Sequence, residues 1–130
     1  MTLRRSTFIF VVTLAVAWSI DRVTKIFALR LFVVYRNYGM TFDILKDSPS
    51  TCLFLALTVT GLFALAFAKY RKEFLTPGVA FLLAGALGNL ADRLIYGYVV
   101  DWIHLVGYIN LADIWLCAGA LLSLKHIIRT

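Results

Sequence analysis

Acidic and amide side chains recur in short separate groups along an otherwise apolar chain. The groups are Asp21-Arg22-Val23-Thr24-Lys25, Asn37-Tyr38-Gly39-Met40-Thr41-Phe42, Gly88-Asn89-Leu90-Ala91-Asp92-Arg93, Val99-Val100-Asp101-Trp102-Ile103 and Asn110-Leu111-Ala112-Asp113. Ionisable residues at membrane depth cost several kcal/mol unless paired or hydrated, so each group is a candidate functional site. Asp101 stands out because its neighbours are β-branched or aromatic and nothing basic lies beside it. Burial in such a stretch raises a carboxyl pKa and lets the group exchange a proton near neutral pH.

Each group also has a plain structural reading. Asp21 and Lys25 stand at i and i+4 and read as an ion pair closing a helix. Asn89 shares a helix face with Asp92 and Arg93, and the neighbouring Arg93 is expected to keep Asp92 ionised, a pattern that polar contacts between helices also explain. Asn110 or Asp113 suits the N-terminal cap of a helix, Asp101 suits an aromatic interfacial loop, and Asn37 to Phe42 alone is only a turn signal.

The elements that must position these groups are membrane helices. Of the 130 residues, 62% are hydrophobic and only 15% charged, an excess that a soluble domain of this size has no interior to hide. Four apolar stretches are long enough to span a bilayer: Thr7 to Leu29, Thr51 to Ala68, Phe74 to Ala91 and Leu111 to Ile128. Pro77 is tolerated in the first turn of the third. No internal repeat is visible, so residues 1–130 read as one domain. A cleavable leader ending near Ala17 is the weaker reading of the N-terminus, since Trp18 follows and the helical pattern continues to Leu29.

The net charge of +6 does not mark a nucleic-acid binder, because the bases are scattered between apolar runs rather than gathered on a soluble face. Cys52 and Cys117 lie inside apolar runs and no ligand set at metal spacing accompanies them, so no metal or other cofactor is expected. The Lys69–Lys72 cluster has no counterpart at the opposite helix ends. It places both termini in the cytoplasm, with six of the seven carboxylates toward the outer side. At 1.5 Å per residue, Asp21 lies about 24 Å along its helix from Arg5 and Asp92 about 24 Å from Thr76, which brings acids of different helices to similar depth.

Taken together and in this order, the motifs resemble one family, the type II or lipoprotein signal peptidases. The resemblance covers essentially the whole chain: Asp21-x-x-Thr24-Lys25, Asn37-x-Gly39-x-x-Phe42, Gly88-Asn89-x-x-Asp92-Arg93, Val99-Val100-Asp101-Trp102 and Asn110-x-Ala112-Asp113. It implies an all-α membrane protein of four transmembrane helices, and an aspartic endopeptidase of the bacterial inner membrane. Such an enzyme cuts the signal peptide from a prolipoprotein just before a diacylglyceryl-modified cysteine. Asp101 and Asp113 match the family's catalytic pair. Asp21, Lys25, Asn37, Gly39, Gly88, Asn89, Asp92, Arg93, Asn110 and Ala112 match its supporting residues. Two close carboxylates share a proton, one acting as base toward water and the other donating to the scissile carbonyl.

The partners then expected are lipidated prolipoproteins and membrane lipids, with no nucleic acid and a monomeric enzyme. The chain departs from the family in a shortened Asp101–Asp113 stretch, in Met40-Thr41 before Phe42 and in Arg36 before Asn37. The β-formers Leu31 to Tyr35, followed by Asn37 and Gly39, predict a small, partly β platform in the first outer loop, with Asn37 placed to bond substrate backbone and Phe42 anchored in lipid. A proton-coupled transporter is the competing class, but it wants its acid near the bilayer midplane between repeats. A non-catalytic assembly protein is a third reading, in which Asp101→Asn would be harmless.

Overall fold

A computed structural model of the chain describes residues 1–40 and 44–130. Four of its helices are long and apolar enough to cross a membrane: α1 (Leu3–Leu31), α2 (Pro49–Lys69), α4 (Pro77–Tyr96) and α5 (Leu111–Arg129). A one-turn helix, α3 (Arg71–Phe74), fills the connection between α2 and α4. The third span therefore begins at Pro77 rather than Phe74. Thr76 caps it by accepting the Val79 N–H, and Pro77 takes the first helical position, where its missing donor is not needed. Its far end stops at Gly97, whose φ of +78° is the left-handed conformation that closes helices.

Small side chains let α4 sit at the centre of the bundle. It packs most closely on α5 and α1 and more lightly on α2. Two glycines set how near the neighbours come. A Cβ on Gly85 would lie 2.5 Å from the Ala112 carbonyl oxygen on α5, and one on Gly88 would lie 2.5 Å from an Asp21 carboxylate oxygen on α1. Without water to drive apolar association between helices, such close backbone approach is how membrane helices gain contact. The outer face of α2, with Phe54, Leu62 and Leu65, is exposed and apolar, as a lipid-facing surface must be.

The β structure lies at the end of the bundle opposite Lys69–Lys72. Strand β1 (Tyr35–Asn37) runs antiparallel to β2 (Val99–Asp101), with Tyr35 opposite Asp101 and Asn37 opposite Val99. The following hairpin pairs β3 (Ile103–Leu105) with β4 (Gly107–Ile109), turning at Val106, with Gly107 just after it at φ +123°. The β platform expected in the first loop is present, but it is built from both loops at that end. Leu31 continues α1, so only Tyr35–Asn37 is left as strand. An isolated three-residue strand would leave its backbone groups unpaired, and the loop after α4 supplies the partner. Phe42, expected to anchor this platform, lies outside the described residues.

Candidate active site

Two sets of carboxylates gather at the β end of the bundle. The first is Asp21 on α1 and Asp92 on α4, both fully buried. Lys25, one turn beyond Asp21 and 1% exposed, places its Nζ 3.1 Å from Asp21 and 2.8 Å from Asp92. The Arg22 guanidinium lies 3.1 Å from Asp21 and 2.5 Å from Asp92, and also donates to the Gly88 carbonyl. Two anions and two cations thus balance. Asp21 Oδ1, the oxygen that neither cation faces, accepts the Ala112 N–H, and Asp92 Oδ2 accepts the Val100 N–H as well as facing Lys25, each N–H at 3.0 Å. The cluster thereby ties α1, α4, β2 and the start of α5 together, and the paired hydrogen-bonded charges meet the condition for burying ions at all.

This corrects one expectation. Asp92 pairs with Arg22 and Lys25, not with Arg93. Adjacent helical residues point to different faces, so Arg93 turns away from Asp92. It reaches the first loop instead, donating to the Gly39 carbonyl at 3.1 Å and to its own helix at Asn89 O. The i,i+4 pair of Asp21 and Lys25 is present as expected, but as half of a four-charge cluster rather than an interfacial clasp.

The second set is Asp101, ending β2, and Asp113 in the first turn of α5. Among the described residues neither has a cation within ion-pair distance. Amides hold them. Asn110 Nδ2 donates to Asp101 Oδ1 at 2.6 Å and Asn37 Nδ2 to Asp101 Oδ2 at 3.1 Å. Asn89 Nδ2 donates to Asp113 Oδ1 at 3.1 Å, and the Asn110 backbone N–H donates to Asp113 Oδ2 at 3.0 Å. Asn110 and Asp113 form a reciprocal capping box, so the cap reading of this motif holds. Asn110 touches both acids and is itself fully buried.

Burial pushes the Asp101 carboxyl up to about 6. The hydrogen bond from Asn110 draws it back down, and the neighbouring charge of Asp113 adds to the rise. Asp101 and Asp113 line one cavity of about 40 Å³ with Asn37, Met40, Asn89 and Arg93. A water needs about 10–15 Å³ of such space, so a nucleophilic water fits between these groups. An apolar groove of about 230 Å³ leads away from Met40, Asn89, Arg93 and Asp113 along α2, past Leu55, Ala56 and Val59. An acid able to hold a proton near neutral pH, beside a second carboxylate and space for water, is equipped for general acid–base hydrolysis.

Among the described residues, the site residues expected from the sequence converge on this end. Gly39 is buried, accepts Arg93 through its carbonyl and donates its N–H to Asn37 Oδ1 at 2.9 Å. Gly88 and Ala112 provide close packing and backbone partners for Asp21 and Arg22. Asn37 is engaged differently from the expected substrate contact, since its amide is spent on Asp101, Gly39 and the Met40 carbonyl. Arg22 was legible only as one more charge, although its place beside Asp21 was the signal. Tyr108 was missed entirely. It lines the cavity and stacks between Tyr35 and His104, with ring centroids 5.0 and 4.5 Å away.

The family model described as Signal peptidase (SPase) II matches residues 6–129. The chain is 31% identical to a lipoprotein signal peptidase of Clostridium novyi (strain NT), over 85% of this chain and 90% of that one. It is 32% identical to a lipoprotein signal peptidase of Haemophilus influenzae, over 82% of this chain and 77% of the relative. A solved bacterial membrane enzyme, determined by the in meso method at 2.3 Å, superposes with a TM-score of 0.74 at 23% identity, covering 98% of this chain and 89% of its own, and so shares the fold. A second, at 1.9 Å, superposes with a TM-score of 0.70 at 25% identity, covering 96% and 93%.

Proposed function

Since this chain belongs to the signal peptidase II family, we propose that it is the protease that removes signal peptides from prolipoproteins by an aspartic mechanism, with Asp101 and Asp113 as the catalytic pair. The observation that carries this reading is the shared cavity, in which two carboxylates, neither with a cation within ion-pair distance among the described residues, are held by three asparagines. One carboxylate takes a proton from water as it attacks the scissile carbonyl. The other donates its proton to the developing oxyanion, and the pair returns the proton to the leaving amine. Asp21, Arg22, Lys25 and Asp92 fix the helices that present the pair, and Arg93 with Gly39 fixes the first loop against α4.

The substrate is a prolipoprotein whose cysteine carries diacylglycerol, cut on the N-terminal side of that cysteine. Acyl chains keep about 0.8 kcal/mol per methylene only while they stay in lipid, so the scissile bond must be met at the membrane surface. The pair lies at the ends of the spans, beside a β platform whose rim exposes Phe32, Val33, Leu105 and Val106. That placement suits a bilayer surface. The basic Lys69–Lys72 turn at the other end supports cytoplasmic termini and a site facing outward. Both acids and their amides come from one chain, which supports a monomeric peptidase unit spanning residues 1–130.

Purified protein incubated with a diacylglyceryl-modified prolipoprotein should release the shortened lipoprotein, and the unlipidated precursor should turn over far more slowly. Equal cleavage of both precursors would refute lipid-dependent presentation. Cleavage of neither would refute the peptidase reading.

A further inference from the structure

An amide side chain is symmetric in shape but not in chemistry, so a hydrogen bond from Asn to a carboxylate holds only if something forces its NH₂ end that way. Three asparagines donate to the acidic pair, and each has its oxygen pinned by a donor. Gly39 N–H pins Asn37 Oδ1 at 2.9 Å, and Asp113 N–H pins Asn110 Oδ1 at 3.3 Å. Asn89 Oδ1 is pinned by Lys25 Nζ at 3.1 Å. The first two pins are backbone groups that no side-chain substitution removes. The third is a side chain, and an ammonium has three donors and no acceptor.

Lys25 spends those three donors on Asp21 at 3.1 Å, Asp92 at 2.8 Å and Asn89 at 3.1 Å. Its position is therefore fixed by the charge cluster, and Asn89 can present only its oxygen to it. We propose that Lys25 is a positioning residue for the reaction: by pinning the Asn89 oxygen it aims the Asn89 N–H at Asp113, and so couples the buried ion cluster to the catalytic pair. Without that pin the Asn89 amide is free to rotate its oxygen toward Asp113, which removes a donor from one acid of the pair and sets two acceptors against each other.

This inference rests on the peptidase reading, and its test is a double-mutant cycle on turnover of the diacylglyceryl-modified prolipoprotein. Lys25→Met should lower kcat by roughly 10-fold to 100-fold, the range seen when an orienting partner is lost, and leave KM within about 2-fold. In an Asn89→Ala background the same change should lower kcat by less than about 2-fold, since the amide it orients is gone. An equal loss of kcat in both backgrounds, or no loss in the first, would overturn the proposal, because a lysine acting only on folding or by its charge does not depend on Asn89. If Lys25→Met alone does not fold, Asp21→Asn/Lys25→Met restores charge balance and is read by the same rule. Asp101→Asn, prepared alongside, separates the two ideas: activity retained there means that the catalytic pair is wrongly assigned.

Discussion

Two pairs of aspartates lie at the same end of one small bundle, and their surroundings could hardly differ more. Asp21 and Asp92 are held by Lys25 and Arg22, charge against charge. Asp101 and Asp113 are held by Asn37, Asn89 and Asn110, neutral donors that fix the oxygens without supplying a counter-charge. A carboxylate locked to a cation is a structural brace. One held by amides keeps its place while remaining able to gain or lose a proton, which is what acid–base chemistry requires. On the proposed reading the same residue type serves two purposes, and the partner decides which.

The comparison breaks most visibly through stability. Asp92→Asn leaves the buried Lys25 and the partly buried Arg22 facing Asp21 alone, and losing one partner of a buried pair costs about 3 to 5 kcal/mol. The thermal unfolding midpoint in detergent should fall clearly, and an unchanged midpoint would show that the cluster braces nothing.

A smaller effect follows from Asp101 and pH. Its folded pKa of about 6 lies above the ordinary 3.8, so ionisation disfavours the folded state. The stability linked to this group is fully present below about pH 4 and is lost as pH rises through about 6, amounting to no more than about 3 kcal/mol for a shift of this size. The unfolding midpoint should therefore decline between pH 4 and pH 7 by an amount that Asp101→Asn removes. A decline of the same size in the variant would assign it to another group. Smallest of all is Trp115→Phe. It deletes the bond from Trp115 Nε1 to the Ala17 carbonyl, which links α5 to α1 without touching any of the four aspartates, and should cost about 1 kcal/mol with turnover unchanged.

Much of this was legible in the chain because membrane helices are read by length and apolarity, and because motif residues keep their order. The four spans, the Asp21–Lys25 pair and the Asn110–Asp113 cap are all local in sequence, within one helix or one turn. What escaped was long-range. Nothing near Asp92 in sequence names Arg22, 70 residues away, as its partner, and the adjacent Arg93 invited the wrong pairing. Likewise Tyr35–Asn37 reads as β-forming, but its partner strand begins at Val99 on another loop. Tyr108 carried no signal, since an aromatic in a turn-rich stretch has many uses.

The central claim is that the amide-held pair carries the chemistry and the cation-held pair does not. It is tested most directly by measuring turnover of the diacylglyceryl-modified prolipoprotein per molecule of folded enzyme for Asp101→Asn, Asp113→Asn and Asp92→Asn. The account predicts that the first two lose turnover by at least about 1,000-fold while remaining folded and inserted, the scale of loss when a group acting on the reacting atoms is removed. It predicts that folded Asp92→Asn retains measurable turnover. Retained turnover in Asp101→Asn or Asp113→Asn, with complete loss in folded Asp92→Asn, would contradict it.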